Sequence, residues 1–130
     1  MDKTLTLKLK EFQQTIKTLQ VSLDMKKSEI TRDASIKRFE YTYELLWKCV
    51  KIFLREKIGL DSFSPKDCFR ELLKNQLLSA EDTEELLKMV DDRNKIIHTY
   101  NEDFSEALYK KIKSKYFNLI EKIYSILQKK

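Results

Sequence analysis

The sequence predicts an all-α protein: an antiparallel up-down four-helix bundle with one additional short helix. Three observations predict it. Gly59 is the single glycine and Pro65 the single proline among 130 residues, where an average domain of this length carries about 9 and about 6. Sheets, sandwiches and barrels need many tight turns, and glycine and proline usually build them. Apolar residues recur in steps of three and four over long stretches, which is the period of a helix face. Apolar residues make up 42% of the chain and charged residues 36%, a balance that suits amphipathic helices and not a disordered chain. A chain of this size buries roughly two-thirds of its unfolded surface. Residues 1–130 are therefore read as one domain with its own core.

Five helical stretches follow in order. The first spans about Thr4 to Leu23, with the stripe Leu5, Leu9, Phe12, Ile16, Leu19 and Leu23. The polar run from Asp24 to Ile30 interrupts it. The second spans about Thr31 to Lys57 on the stripe Ile36, Phe39, Tyr43, Leu46, Val50 and Phe53, widened by Trp47 and Leu54. Gly59 stands where a helix C-terminus favours a residue of positive φ. Ser64-Pro65-Lys66-Asp67 opens a short third helix, with Ser64 as N-cap and Pro65 in the first helical position. Its apolar face is Cys68, Phe69, Leu72 and Leu73. Ser79 caps the fourth helix, which runs to about Thr99. Asn101 caps the fifth, from about Glu102 to Leu127, on the stripe Phe104, Leu108, Ile112, Tyr116, Leu119, Ile123 and Leu127. The stripes are wide and rich in Tyr and Phe, which predicts some packing against a second copy of the chain.

Several classes are excluded. No apolar run approaches the ~20 residues that cross a bilayer, so no membrane role is expected. Met1 to Lys10 alternates polar and apolar residues and lacks the apolar stretch of a signal peptide. Cys49 and Cys68 have no C-x-x-C spacing and read as reduced, half-buried thiols of a cytoplasmic protein. One histidine rules out a zinc site of several histidines in one chain, and no metal or cofactor is expected. Net charge is +5, unevenly spread. Residues 81–92 hold six acids against Lys88, and residues 110–130 hold seven lysines against Glu121. The basic end suits RNA, an acidic partner, or plain solvent.

The fourth helix carries the chemistry. Leu86, Val90, Arg93, Ile97 and Tyr100 follow one another at helical spacing, and the middle residue is arginine. A guanidinium keeps its charge, so on an apolar seam it needs an acid such as Glu40, an outlet to the edge, or a wet cleft. His98, the single histidine, lies five residues after Arg93, about 140° further round the helix. Asn94 and His98 share a face at i and i+4, and Arg93 and Tyr100 share another. A histidine at this position serves either as a favourable charge at the helix C-terminus or as a proton carrier. Using both faces in one centre calls for a long reach, a loosened last turn or a second subunit.

The run Arg93-Asn94-Lys95-Ile96-Ile97-His98-Thr99-Tyr100 resembles the R-(polar)-x-x-x-H-x-Y motif of HEPN proteins. Arg38 to Lys48, RFEYTYELLWK, resembles the second-helix signature of one HEPN branch, the nucleotidyltransferase substrate-binding proteins, close to the HepT toxins. Ser64-Pro65 and His98-Thr99-Tyr100-Asn101-Glu102 fit the same branch, and the resemblance covers roughly residues 5–127. It implies a homodimeric helical bundle that binds a small nucleotidyltransferase encoded nearby. It further implies a metal-independent RNase toxin acting on single-stranded RNA, with Arg93, Asn94 and His98 as catalytic residues in a cleft between subunits. AMP placed on Tyr100 by the partner enzyme would silence it. The branch's older label implies instead a non-catalytic subunit that presents a substrate to the nucleotidyltransferase. The chemistry suits the residues: imidazole exchanges protons near neutral pH, and a guanidinium holds phosphate oxygens as charge develops on them.

Overall fold

The computed structural model describes residues 3–98 and 101–129. Among them regular structure is helical, without strands. The helices are α1 (Thr4–Asp24), α2 (Glu29–Phe53), α3 (Pro65–Lys74), α4 (Ala80–His98), α5 (Glu102–Lys111) and α6 (Phe117–Lys129). A π-helical turn, Leu54–Ile58, extends α2, and a second, Ile112–Tyr116, joins α5 to α6 into one rod. The α5–α6 rod and helices α1, α2 and α4 form the antiparallel bundle, with α3 as the short extra helix. No helix among the described residues is long and apolar enough to cross a membrane.

Side-chain oxygens set the helix starts. Ser64 accepts from the Asp67 amide at 3.2 Å, Ser79 from Asp82 at 3.1 Å and Asn101 from Phe104 at 2.7 Å. Each such cap is worth about 1 kcal/mol. Helix α2 begins at Glu29, two residues ahead of the sequence expectation. Ser28 Oγ accepts from the Thr31 amide at 3.1 Å while Thr31 Oγ1 accepts from the Ser28 amide at 2.7 Å. This reciprocal box uses threonine where glutamate is usual. Gly59 adopts φ 80°, and the Leu60 amide returns to the Leu54 carbonyl at 3.0 Å. Helix α3 ends without a glycine: Gln76 takes φ 60° instead.

The π turn in the last rod has a sequence cause. Phe104, Leu108, Ile112 and Tyr116 are spaced by four three times in succession. On an ideal helix that pattern drifts by about 120°. A turn closed by i→i+5 bonds takes up the excess, and the stripe stays inward: Leu108, Ile112, Tyr116, Leu119, Ile123 and Leu127 are all buried. The bulge also delivers Tyr116 to α4, where its hydroxyl donates to Asp92 Oδ2 at 2.5 Å. Asp92 is buried and receives Lys111 Nζ at 3.2 Å as well. Burial first, and the bond to Asp92 second, hold the Tyr116 phenol protonated far above its ordinary range.

Helices α1 and α2 run antiparallel. Ser22 meets Ser35, Thr18 meets Arg38, and Thr15 meets Thr42, so one index rises as the other falls between α1 and α2. The aromatic rings lie largely inside the chain's own core: Phe39 stacks on Tyr116 at 5.9 Å, and Phe12 meets Tyr124 edge-on at 5.8 Å. The more exposed apolar side chains are Phe63, Ile30 and Ile97, and Leu73 is 38% exposed rather than part of the α3 core face. Cys49 and Cys68 are free and fully buried, deeper than the half-buried positions expected, because both fall on the core side of their helices. Burial pushes the Cys49 thiol up to about 12.

The N-termini of α2 and α5 lie at the same end, and Arg32 fastens them together. Its buried guanidinium donates to Asp33 at 2.9 Å, Glu102 at 2.6 Å and Glu106 at 3.1 Å. Lys27 also pairs with Glu106. The bond to Arg32 holds the Glu102 carboxyl below its ordinary value of 4.5, and Lys27 then Arg32 do the same for Glu106. Carboxyls depressed on folding contribute stability that is present in full above about pH 4.5 and is lost as pH falls through their folded values. Melting temperature should therefore decline as pH drops below 4.5. A Glu102→Gln/Glu106→Gln double variant, followed by circular dichroism, should be less stable at pH 7 and show a flatter acid limb. An acid limb identical to wild type would show that these carboxylates do not fasten the two helices.

Candidate functional site

Helix α4 presents three faces. Leu86, Met89 and Val90 are buried, and Ile96 packs against the core. Ile96 follows Met89 by seven residues, within about 20° on an ideal helix, so the two share one line of the buried face, which Leu86, Val90 and Thr83 extend on the Arg93 side. Ile97 shares the angular range of buried Leu86 and Val90 but sits one residue from the end of α4, where it is 66% exposed. Arg93 and Asp92 flank this line on opposite sides. Asp92 turns to the α5–α6 rod, and Arg93 turns to α2.

Arg93 has little to satisfy it. Its side chain is 19% exposed. Nη2 lies 3.5 Å from Glu44 Oε1, not beside Glu40 as the sequence allowed. The guanidinium stands 5.9 Å from the ring centre of Tyr43. Glu44 is shared, since Trp47 Nε1 donates to it at 3.3 Å and Lys48 lies 3.9 Å away. Arg93 Nε is buried with no hydrogen-bond partner among the described residues. Burial, more than the neighbouring charges, raises the Tyr43 phenol above its ordinary range.

Asn94 and His98 sit elsewhere. Both are exposed, and His98 projects about 180° from Met89 on an ideal helix. One chain therefore does not bring Arg93 and His98 onto a common face. Asn94 borders a groove of about 370 Å³ beside Pro65, Lys66 and Arg70 at the start of α3. Tyr100, the expected AMP acceptor, lies outside the described residues. Its chain neighbour Asn101 lines a different cleft of about 280 Å³ between α2 and the start of α5, together with Ile36, Lys37, Glu40, Ile96 and Phe104. The sequence reading missed this cleft. Its walls come from three helices, and only the spacing of Ile36, Lys37 and Glu40 on one side of α2 hints at it.

A helical bundle that holds an arginine at the core edge and a histidine on the outer face of the same helix defines a class, and comparison gives the family. The profile of the family described as nucleotidyltransferase substrate binding protein like matches residues 6–129, and the chain belongs to that family. A protein of Thermus thermophilus with a known crystal structure is 37% identical, with a TM-score of 0.84 over 90% of this chain and 98% of its own. The HEPN toxin of Shewanella oneidensis, solved tri-AMPylated in complex with its MNT antitoxin, shares the fold at 19% identity. Its TM-score is 0.80 over 100% of both chains. A chain from a mutant MntA–HpeT toxin–antitoxin structure does so at 18%, TM-score 0.80, over 99% of this chain and 100% of its own. No curated protein matches the chain.

The geometry gives Arg93 little part in holding the fold. A shared, partly exposed ion pair is worth about 0–1 kcal/mol, and the buried Nε costs something with no bond to offset it. Arg93→Met keeps the length and packs against Tyr43. Its stability in urea should stay within about 1 kcal/mol of wild type or rise. A loss above about 3 kcal/mol would mean that the arginine holds the bundle together.

Proposed function

We propose that this chain is the HEPN-type component of a nucleotidyltransferase toxin–antitoxin pair, a metal-independent endoribonuclease silenced by AMP transfer from its partner enzyme. One observation carries the reading. Arg93 is kept at the core edge with an unpaired Nε among the described residues, while His98 projects from the same helix on another face. Such a placement serves a ligand better than it serves the fold. The angular gap between the two residues is met by a homodimer in which one subunit's Arg93 and the other's His98 border a common cleft. Residues 1–130 act as one unit in this scheme, in the cytoplasm.

The reaction needs only side chains. The RNA 2′-oxygen bonds to the adjacent phosphorus as His98 takes its proton, and the P–O5′ bond breaks. The 5′-oxygen leaves with a proton drawn from water, a 2′,3′-cyclic phosphate remains, and His98 returns its proton to solvent. Arg93 holds the non-bridging oxygens, and Asn94 adds a donor beside His98. Control falls on Tyr100. Its oxygen attacks the α-phosphorus of an adenosine triphosphate held by the partner, pyrophosphate leaves, and the phenol proton passes to solvent. The added phosphate then competes with RNA for Arg93. The tri-AMPylated state of the Shewanella oneidensis relative supports this part of the reading.

Light scattering on the purified chain should report a dimer. AMP-free protein should cut single-stranded RNA in EDTA and leave cyclic phosphate ends. Arg93→Ala and His98→Ala should each lose at least about 100-fold in rate with helical circular dichroism unchanged. Wild-type cleavage by His98→Ala would remove this centre from the reaction.

Co-expression with the neighbouring nucleotidyltransferase should add AMP to Tyr100, found by peptide mass mapping, and abolish cleavage. Tyr100→Phe should escape silencing. An unmodified Tyr100 alongside full inhibition would mean that complex formation alone restrains the chain. The second reading, a non-catalytic subunit that presents a substrate to the nucleotidyltransferase, is favoured by a separate observation: the cleft beside Asn101.

A further inference from the structure

The charge on α2 is divided. From Glu29 to Tyr43 the bases Arg32, Lys37 and Arg38 are matched by Glu29, Asp33 and Glu40. From Glu44 to Ile58 the bases Lys48, Lys51, Arg55 and Lys57 outnumber Glu44 and Glu56. This basic end begins at the proposed centre, because Glu44 is the carboxylate beside Arg93. Trp47 Nε1 donates to the same carboxylate, and Lys48 Nζ lies 3.9 Å from it. Arg93, Trp47 and Lys48 therefore surround one acid. Glu44, Lys48 and Lys51 fall within about 60° on an ideal helix, and Trp47 lies beside that line. Arg55 follows Lys51 by four residues, in the π turn. Lys51 and Arg55 form no hydrogen bond or ion pair among the described residues. The acids that approach from α3 and α4 are already paired, Asp67 with Arg70 at 3.7 Å and Asp91 with Lys66 at 2.8 Å.

We propose that this line of α2 is the track of the RNA strand beside the cleaved bond. One base packs on the exposed part of the Trp47 ring, and the phosphates that follow rest on Lys51 and Arg55. The proposal rests on the RNase reading and names residues that position the substrate outside the set of Arg93, Asn94 and His98.

Three physical points select this occupant. Trp47 packs against the core yet keeps part of its ring in solvent. Its one polar group is tied to Glu44, so the surface it offers is aromatic, which suits a base of any identity. A base must be unpaired to reach it, so the track favours single strands. Lys48, Lys51 and Arg55 step along the helix axis by about 4.5 and 6 Å, which lets long side chains follow a phosphate backbone. An acidic protein would use the same cations but has no need of an aromatic ring among them.

The His98→Ala chain leaves RNA intact and carries Trp47 as its single tryptophan. An oligouridylate of about ten nucleotides, within the site sizes of single-strand binders, should quench its fluorescence. The same strand paired with oligoadenylate should not. With a labelled strand followed by anisotropy, Trp47→Leu should weaken binding at least about five-fold, and Trp47→Phe, which keeps a ring, should restore most of it. Lys51→Ala/Arg55→Ala should lower the slope of log affinity against log salt by about 1.4, or about 0.7 for each phosphate contact. Both side chains are unpaired, so melting temperature should hold. In the chain that retains His98, this double substitution should raise KM for the strand by more than it changes kcat. An unchanged salt slope would overturn the proposal, as would a duplex that quenches as strongly as the single strand. So would variants that bind RNA as wild type but lose the complex with the nucleotidyltransferase, a result that would assign the face to the protein partner. The two proposals separate. RNA binding in this pattern, with no cleavage by the intact chain, keeps the track and removes the RNase reading. Cleavage that needs His98 but is indifferent to Trp47, Lys51 and Arg55 does the reverse.

Discussion

The buried carboxylate of Asp92 fixes how α4 is turned, and the placement of every candidate residue on that helix depends on it. A carboxylate inside an apolar bundle is tolerated only with partners. Tyr116 and Lys111 supply them from the α5–α6 rod. The π turn is what brings Tyr116 round to meet it. With Asp92 anchored there, Met89 and Ile96 face the core, Arg93 is directed to Tyr43 and Glu44, and Asn94 and His98 face outward. Breaking the Tyr116–Asp92 bond while leaving the carboxylate in place would cost on the order of 1–3 kcal/mol. It would also free α4 to rotate.

Two arginines near the core are treated in opposite ways. Arg32 is surrounded by three carboxylates, and its guanidinium is used to join two helix N-termini. Those termini already favour negative charge through the helix dipole, and Glu29, Glu102 and Asp103 occupy their first turns. Arg93 has one shared carboxylate and an aromatic face. The first pattern saturates a charge, and the second leaves part of it available. The same contrast holds on α2, where Arg32 is fully engaged and Lys37 and Glu40 are not.

Much of the fold was legible because it rests on local signals. Ser64, Ser79 and Asn101 cap helices through bonds to amides three residues on. The stripe from Phe104 to Leu127 turns inward along its length, and Gly59 takes the positive φ its position demanded. The Ser28–Thr31 box was missed because its third helical residue is threonine. Gln76 was missed because nothing in its side chain announces a left-handed turn. The seam through Leu86, Val90 and Arg93 is the buried side of α4, and Ile97 leaves it only because it lies at the end of the helix, where little packs over it. The pairing of Arg93 with Glu44 rather than Glu40, and the cleft at Ile36 and Phe104, arise where separate helices meet. Neither is encoded in any one stretch of sequence. The motif residues and their division between two faces were both visible in the spacing.

The order of contacts along the chain has a kinetic consequence. Helices α1 and α2 are joined by a four-residue link, Met25–Ser28, and pair through neighbours close in sequence, so that hairpin can form early and at low entropic cost. The partners that complete the molecule come late: Tyr124 for Phe12, Tyr116 for Asp92, Glu102 and Glu106 for Arg32. Loop closure across such separations is slow relative to local pairing. On a ribosome the first two helices emerge and collapse before α5 exists. The cleft that needs Asn101 and Phe104 is absent until the final rod docks, as is the bond that sets the face of α4. A chain cut short ahead of α5 would retain a helical hairpin, the Arg93–His98 motif and the α2 partners of Arg93, yet lack the Tyr116 and Lys111 contacts that hold Asp92.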